Sequence, residues 1–354
     1  MSTEDQQANQ AQATVTATEV VLPGVVEPSG LQLRQRTLPP PAAGQALVRV
    51  EASGVSFAEQ GMRRDRYPGQ PKFPFVPGYD LIGVVTAVGP DVDPALTGRR
   101  VAALTKTGGW ASHALVPAST LVEVPDGVDP AEAETVVVNG ITAWQMLHRA
   151  ARVQAGQTVL VHGANGGVGT TLVQLARHAG ARVIGTASPK HHDRLRALGV
   201  EPLDYRAPDL PARVRELAPG GVDAVFDHIG GRSVHRSYRL LARGGTLVCY
   251  GLASQRDGRT PALLLFLPLL TRLALWNYLP TGRHASFYNV WGGHRRNPAR
   301  FWARLRADLS QVLPLLRDGV LTAQVAARMP LTEVTAAMEL AESHTVVGKV
   351  ILEP

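Results

Sequence analysis

The stretch that most constrains this chain is TVLVHGANGGVGTTLVQLARHAG, residues 158–180. Thr158 to His162 is a short apolar run with β-branched Val159 and Val161, which predicts a buried strand. The glycine-rich run Gly163-Ala164-Asn165-Gly166-Gly167-Val168-Gly169 follows, and Leu172, Val173, Leu175 and Ala176 then recur at helical spacing. A strand, a glycine turn and a helix in that order make a cradle for a pyrophosphate, because glycine lets the backbone come close to the anion. The free N–H groups and positive dipole end of the new helix face the same charge. The glycines stand at 163, 166 and 169 instead of the strict G-x-G-x-x-G, so the motif alone leaves a dinucleotide site and a tight structural turn both open.

The text on either side narrows the choice. From Thr16 to Val122 short β-like runs are broken by Pro and Gly, with Pro39-Pro40-Pro41 marking an exposed link. Ala46 to Ser53 alternates, which predicts Leu47 and Arg49 on one face and Val48 and Val50 on the other; Leu81–Val88, Arg100–Leu104 and Trp110–Val116 read as further strands. Beyond Asp129, and above all from Thr158 to Cys249, strand-like and helix-like pieces alternate, the signature of βαβ units and a parallel sheet. Ser286–Trp291 (SFYNVW) predicts one more strand, 298–317 an amphipathic helix and GKVILEP a terminal strand. The apolar run 261–280 is interrupted by Pro268 and charged by Arg272, which argues against a membrane span of about 20 apolar residues. It reads as a buried helix or subunit contact, as a greasy lid over an apolar cleft, or as a membrane-touching loop.

Bulk properties exclude several classes. At 354 residues with 45% hydrophobic content, the chain suits two soluble domains. The net charge of +7 comes from scattered arginines, and no nucleic-acid module accompanies it. The single cysteine, Cys249, excludes an internal disulfide, a CxxC pair and any multi-cysteine zinc lobe. Residues 1–14 are polar and acidic, which predicts a disordered tail rather than a signal peptide and fits a cytoplasmic location.

Four stretches, in order, make the sequence similar to the medium-chain dehydrogenase/reductase superfamily, in its zinc-free quinone-oxidoreductase-like branch. They are GVSFAEQGMRRDRYP (54–68), FPFVPGYDLIGVVTAVG (73–89), VVNGITAWQML (137–147) with VHGANGGVG (161–169), and VGKVILEP (347–354). FAEQGMRRD and the apolar run before SFYNVW resemble the vesicle amine transport protein subgroup most. The resemblance implies an α/β chain with a GroES-like β-rich substrate domain (15–137 and 296–354) and a Rossmann doubly wound parallel-sheet domain (138–295, with an apolar insert at 261–284). Zinc-binding members place Cys, His and Cys where this chain has Ser56, Tyr79 and Val138. Valine cannot ligate a metal, serine and tyrosine are poor zinc ligands, and His113, His148 and His162 lack metal-site spacing, so no metal is expected.

NAD-specific sites hold the ribose 2′-hydroxyl on an acid about 20 residues past the turn. Here the second strand ends in Ala187-Ser188-Pro189-Lys190, with a hydroxyl and an ammonium where a 2′-phosphate is welcome, and NADPH is the cofactor expected. The resemblance adds Tyr205, with Arg206 beside it, at the same phosphate, and Asn139, Thr142, Gly251 and Asn289 toward the nicotinamide. The expected cofactor set is therefore Asn139, Thr142, Gly163, Asn165, Gly166, Gly167, Val168, Gly169, Ser188, Lys190, Tyr205, Gly251 and Asn289.

Without a metal, NADPH suits hydride transfer to an already electrophilic carbon, as in a quinone or a conjugated carbonyl. Tyr79 reads either as the hydrogen-bond donor to the developing oxyanion or as a tyrosine packed in the fold, and Ser56 as a second polar contact. Glu59 and Tyr67 are weaker candidates. Related quinone reductases often carry tyrosine where this chain has Gly61, which implies a larger pocket and a bulky apolar conjugated substrate. Two alternatives stand beside this reading: a reductive cyclase of secondary metabolism, and an NADPH-binding, lipid- or membrane-associated protein with little turnover. The resemblance also implies a homodimer paired through SFYNVW.

Overall fold

Apolar alternation and β-branched content set the strands, and proline and glycine set their ends. The computed structural model describes residues 14–253, 262–343 and 345–354, without the side chains of 262–265. The expected tail therefore lies outside the described residues except for Thr14, as does the start of the apolar segment. The chain divides into two compact units, one formed by the residues up to Val138 together with Asn297–Pro354, the other by Asn139–Arg296.

The first unit is a β-rich fold. One sheet runs in the order Val325–Pro330, Lys349–Glu353, Gln45–Val55, Asp80–Val88, Arg100–Leu104 and Val122–Glu123, with His113–Pro117 also on Gln45–Val55. Val15–Val21 and Gln32–Leu38 form a separate antiparallel pair. The last strand is thus an interior one, parallel to Val325–Pro330 and antiparallel to Gln45–Val55.

The alternation over 46–53 holds: Val48 and Val50 pack with Ala46 in one core, and Leu47, also buried, packs on the opposite face with Ala17 and Leu38. One strand expectation needs correction here. The strand expected over Trp110–Val116 begins only at His113. Trp110 is fully buried, and its indole N–H donates to the Gly54 carbonyl at 3.0 Å.

The second unit is a six-stranded, all-parallel sheet in the order Val200–Asp204, Arg182–Ala187, Thr158–His162, Val222–Asp227, Leu241–Cys249, His284–Phe287. In chain order this is the 3-2-1-4-5-6 winding of a dinucleotide-binding sheet. Val159, Leu160 and Val161 are wholly buried, as strands covered on both faces require. The terminal strand is His284–Phe287, not Ser286–Trp291: Tyr288 still donates its N–H to Cys249 O at 2.7 Å, and the chain then turns. The apolar segment is a helix, Ala262–Asn277, with Pro268 inside it. Leu269 and Leu273 pack inward, Trp276 stacks on Tyr238 at 4.2 Å, and Leu267, Leu270, Leu275 and Tyr278 are exposed. No helix among the described residues is long and apolar enough to cross a membrane.

Candidate cofactor and catalytic site

Strand order reverses between Thr158–His162 and Val222–Asp227, and a parallel sheet opens a ligand crevice at the carboxyl ends of the strands where it reverses. Gly163 begins its turn there with φ at +63°, and a Cβ would meet His228 Cε1 at 2.3 Å. A Cβ on Gly169 would stand 2.1 Å from the Gly163 carbonyl oxygen, and one on Gly167 2.8 Å from Asn139 Nδ2. Each glycine therefore has its own steric reason. Gly166 is the N-cap of the helix Gly167–His178, and no side chain caps it. The first-turn N–H groups of Gly167, Val168 and Gly169 have no partner within the helix by geometry, and Gly166 and Gly167 are open to solvent. With Asn165 half-buried beside them, this is the backbone cradle an anion needs.

The neighbouring strands supply the next part. Ala187 pairs with Asp204, so Ser188 and Tyr205 follow side by side, and Tyr205 N–H reaches Ala187 O at 3.4 Å. Lys190 is exposed in the short helical turn Pro189–His191. Tyr205 is 46% exposed; its hydroxyl accepts from Arg206 Nε at 2.9 Å, and the guanidinium lies 5.1 Å from the ring centroid. The Asp204 carboxylate accepts the Arg206 N–H at 3.0 Å. Burial, then the charges of Lys190, Arg194 and His192, hold the His191 pKa below the usual imidazole value. Ser188, Lys190, Tyr205 and Arg206 thus form a cationic, hydroxyl-bearing edge where the chain has no carboxylate directly after Ala187.

Of the remaining expected cofactor residues, Asn139 lies against the glycine turn and Thr142 is buried on the same helix. A Cβ on Gly251 would meet the His228 carbonyl oxygen at 2.8 Å, so His228 spans the glycine turn and the loop after Leu241–Cys249. Asn289 is exposed and serves a turn, accepting the Trp291 N–H at 3.0 Å.

The first unit carries the expected catalytic residues. Ser56 caps the helix Phe57–Arg63 in a capping box: its Oγ accepts from Ala58 N at 3.1 Å, and Glu59 Oε2 accepts the Ser56 N–H at 2.9 Å and its hydroxyl. Tyr79 is 2% exposed, its N–H donates to Glu59 Oε1 at 2.6 Å and its hydroxyl is bonded to that of half-buried Tyr67. The rings meet edge to face at 5.7 Å. Tyr67 also covers Gly61, whose Cβ would stand 3.6 Å from that of Tyr67. Beneath lies a buried cluster in which Lys349 Nζ donates to both Asp80 oxygens at 3.0 Å and to Glu134 Oε1 at 2.7 Å. Burial, with the Asp80 charge adding to it, raises the Glu59 and Glu134 pKa values above the ordinary carboxylate range. Burial alone would lower the Lys349 pKa; Asp80 and Glu134 outweigh it and raise it.

Two family descriptions match, "Alcohol dehydrogenase GroES-like domain" over residues 42–126 and "Zinc-binding dehydrogenase" over 167–288. The human synaptic vesicle membrane protein VAT-1 homologue is 33% identical over 334 residues, covering 92% of this chain and 82% of that protein. The native structure of a mycobacterial quinone oxidoreductase superposes with a TM-score of 0.80 at 31% identity, over 96% of this chain and 100% of that one. A mycobacterial protein solved with NADPH superposes with a TM-score of 0.80 at 30% identity, over 96% and 100% of the two chains. The chain belongs to the medium-chain dehydrogenase/reductase superfamily, in its VAT-1/quinone-oxidoreductase-like branch.

Membership in this oxidoreductase superfamily raises the question of zinc, and the residues of this branch member do not fit the ion. Ser56 Oγ is engaged with Glu59 and Ala58, Tyr79 Oη with Tyr67, and Val138 offers only a backbone N–H, held by Asp80 Oδ2 at 3.0 Å. None of these is a thiolate or an imidazole. Sequence reasoning passed over His228, Asp227 and Ser237. The signal for the first two was DAVFDHIGG, a second apolar strand ending at a polar pair and two glycines; Ser237 had none, being one polar residue on an ordinary helix.

Proposed function

We propose that the protein is an NADPH-dependent, zinc-independent reductase that delivers hydride to an activated C=C bond, a quinone or a conjugated carbonyl of a bulky apolar substrate. The observation that carries this reading is the pairing of an uncapped glycine cradle with a cationic edge at Ser188, Lys190, Tyr205 and Arg206 that has no carboxylate directly after Ala187. The NADPH complex of a mycobacterial relative supports it. The N–H groups of Gly167, Val168 and Gly169 would receive the pyrophosphate, and Lys190, Tyr205 and Arg206 the 2′-phosphate. When bound, the cofactor supplies the hydride. Hydride addition to the β-carbon leaves charge on the carbonyl oxygen, and a phenol can donate to that oxygen and pass its proton on. The Tyr67–Tyr79 pair is the proposed donor, since the half-buried Tyr67 hydroxyl can return a proton to Tyr79. The donor chemistry of Ser56, Tyr79 and Val138 supports zinc independence.

The test is a titration of NADPH and NADH followed by protein fluorescence, then a screen of enones and quinones of increasing size by NADPH consumption. Equal affinity for the two nucleotides, or turnover that requires added zinc, would refute the reading. A homodimer paired through the outer edge of His284–Phe287 is part of the same proposal, checked by light scattering.

A further inference from the structure

Below the glycine turn, every donor and acceptor in one buried chain of groups has an assignable role. Asp227 accepts three bonds: from Ser237 Oγ at 2.7 Å on one oxygen, and from the Ile229 and Gly230 N–H groups at 2.8 and 3.1 Å on the other. The Ser237 proton is therefore committed to Asp227, and the 3.1 Å contact between Ser237 Oγ and His162 Nε2 needs its hydrogen from the imidazole. Burial holds the His162 pKa below the usual imidazole value, so the ring is neutral; with Nε2 protonated, Nδ1 is then an acceptor, and the Thr186 hydroxyl donates to it at 3.1 Å. Thr186 Oγ1 keeps lone pairs for the Gly163 N–H at 3.3 Å. The chain runs in one direction, from the first glycine of the turn through Thr186, His162 and Ser237 to Asp227, whose other oxygen fixes the loop before Gly230.

We infer that His162 is a positioning residue, held as the neutral Nε2–H tautomer, which ties the glycine turn to the Asp227–Gly230 loop and thereby sets nucleotide affinity. The inference rests on the reading of the glycine turn as the pyrophosphate cradle. Its physical basis is burial: Thr186, Ser237 and Asp227 are at 0% exposure and His162 at 5%, so a group that loses its partner has little access to water instead. The two loops it joins emerge from the two strands between which the sheet order reverses, so slack in the chain becomes slack in the cradle. A histidine here does what an aliphatic residue cannot, because its two nitrogens accept on one side and donate on the other.

The experiment has two arms. Imidazole 15N–1H correlation spectra of the wild-type protein, without nucleotide, should show His162 as the Nε2–H tautomer; an Nδ1–H tautomer or an imidazolium at neutral pH overturns the assignment. In the second arm NADPH is titrated against Thr186→Val, Thr186→Ser and Ser237→Ala, with folding of each verified by near-UV circular dichroism. Thr186→Val and Ser237→Ala should weaken binding roughly five- to hundredfold, the range for a buried group left without its partner, while Thr186→Ser stays within about twofold. Wild-type affinity in all three overturns the inference and leaves the cradle reading standing. A wild-type protein that binds no NADPH overturns the cradle reading and, with it, the affinity claim. Should Ser237→Ala fail to fold, the contrast between the two Thr186 variants decides.

Discussion

The glycine turn makes a prediction that separates two kinds of steric demand. Alanine at Gly163 carries a conformational penalty at φ +63°, about 1–2 kcal/mol for a left-handed backbone. Its methyl would also stand 2.3 Å from His228 Cε1; relieving that overlap adds about 1–3 kcal/mol. Gly163→Ala should therefore cost about 2–5 kcal/mol. Removing the ring in Gly163→Ala/His228→Ala should leave only the backbone part, about 1–2 kcal/mol relative to His228→Ala. At Gly169 the conflict is with backbone, since a methyl would be 2.1 Å from Gly163 O and 3.0 Å from Ala164 Cα. Helix propensity favours alanine there by about 1 kcal/mol, yet the turn has to open, so Gly169→Ala should lose about 1–3 kcal/mol that His228→Ala does not restore. Urea denaturation at 25 °C gives the stabilities, and NADPH titration reports whether the opened turn still binds. Equal rescue of both alanines by His228→Ala, or no loss at Gly163→Ala, would refute the geometric argument.

Other consequences are testable in the same preparations. Lys190→Ala and Tyr205→Ala should each lower NADPH affinity about tenfold or more while leaving NADH affinity within about twofold, as expected for lost charge-assisted contacts to a 2′-phosphate. Tyr79→Phe and Tyr67→Phe should slow turnover about 10²–10⁴-fold at unchanged NADPH affinity; wild-type turnover in both would remove the phenol pair from the reaction. Lys349→Met should destabilise the protein by about 3–5 kcal/mol, because Asp80 and Glu134 lose their shared cation. The folded pKa values of Glu59 and Glu134 are raised, so these groups favour folding below the ordinary carboxylate pKa and lose that contribution as pH rises through their folded values. The Lys349→Met deficit should accordingly be larger at about pH 8 than at about pH 5, measured by thermal unfolding across pH.

What the sequence made legible follows from how local each signal is. The cradle could be read because strand, turn and helix are contiguous from Thr158 to His178; the contacts that fix Gly163 and Gly167 come from the distant His228 and Asn139 side chains, and only those of Gly169 are local. Ser188 and Tyr205 could be paired only through the resemblance, since their adjacency depends on the register of Ala187 with Asp204. The chain from Gly163 to Asp227 was not readable. It joins residues up to 75 positions apart, and it exists because two strands distant in sequence lie side by side at the reversal of strand order. That the Leu47 face of its strand is covered as well depends on Ala17 and Leu38 from the separate antiparallel pair, which local alternation cannot report. SFYNVW looked uniform as text, yet its second half has no strand to pair with once Phe287 has matched Cys249.

The place of Lys349–Glu353 inside its sheet bears on the order in which the molecule can be made. Its neighbours on one side, Gln45–Val55, leave the ribosome roughly 300 residues earlier, which at about 5–20 residues per second is on the order of 15–60 s. Asp80 and Glu134, which precede Lys349 by 269 and 215 residues, likewise wait without the ammonium that later joins them. The parallel sheet, by contrast, is drawn from one uninterrupted stretch and needs nothing translated after Arg296. Birth order therefore inverts reading order: the nucleotide-binding half can close first, and the half that begins the chain is finished by the residues that end this sequence.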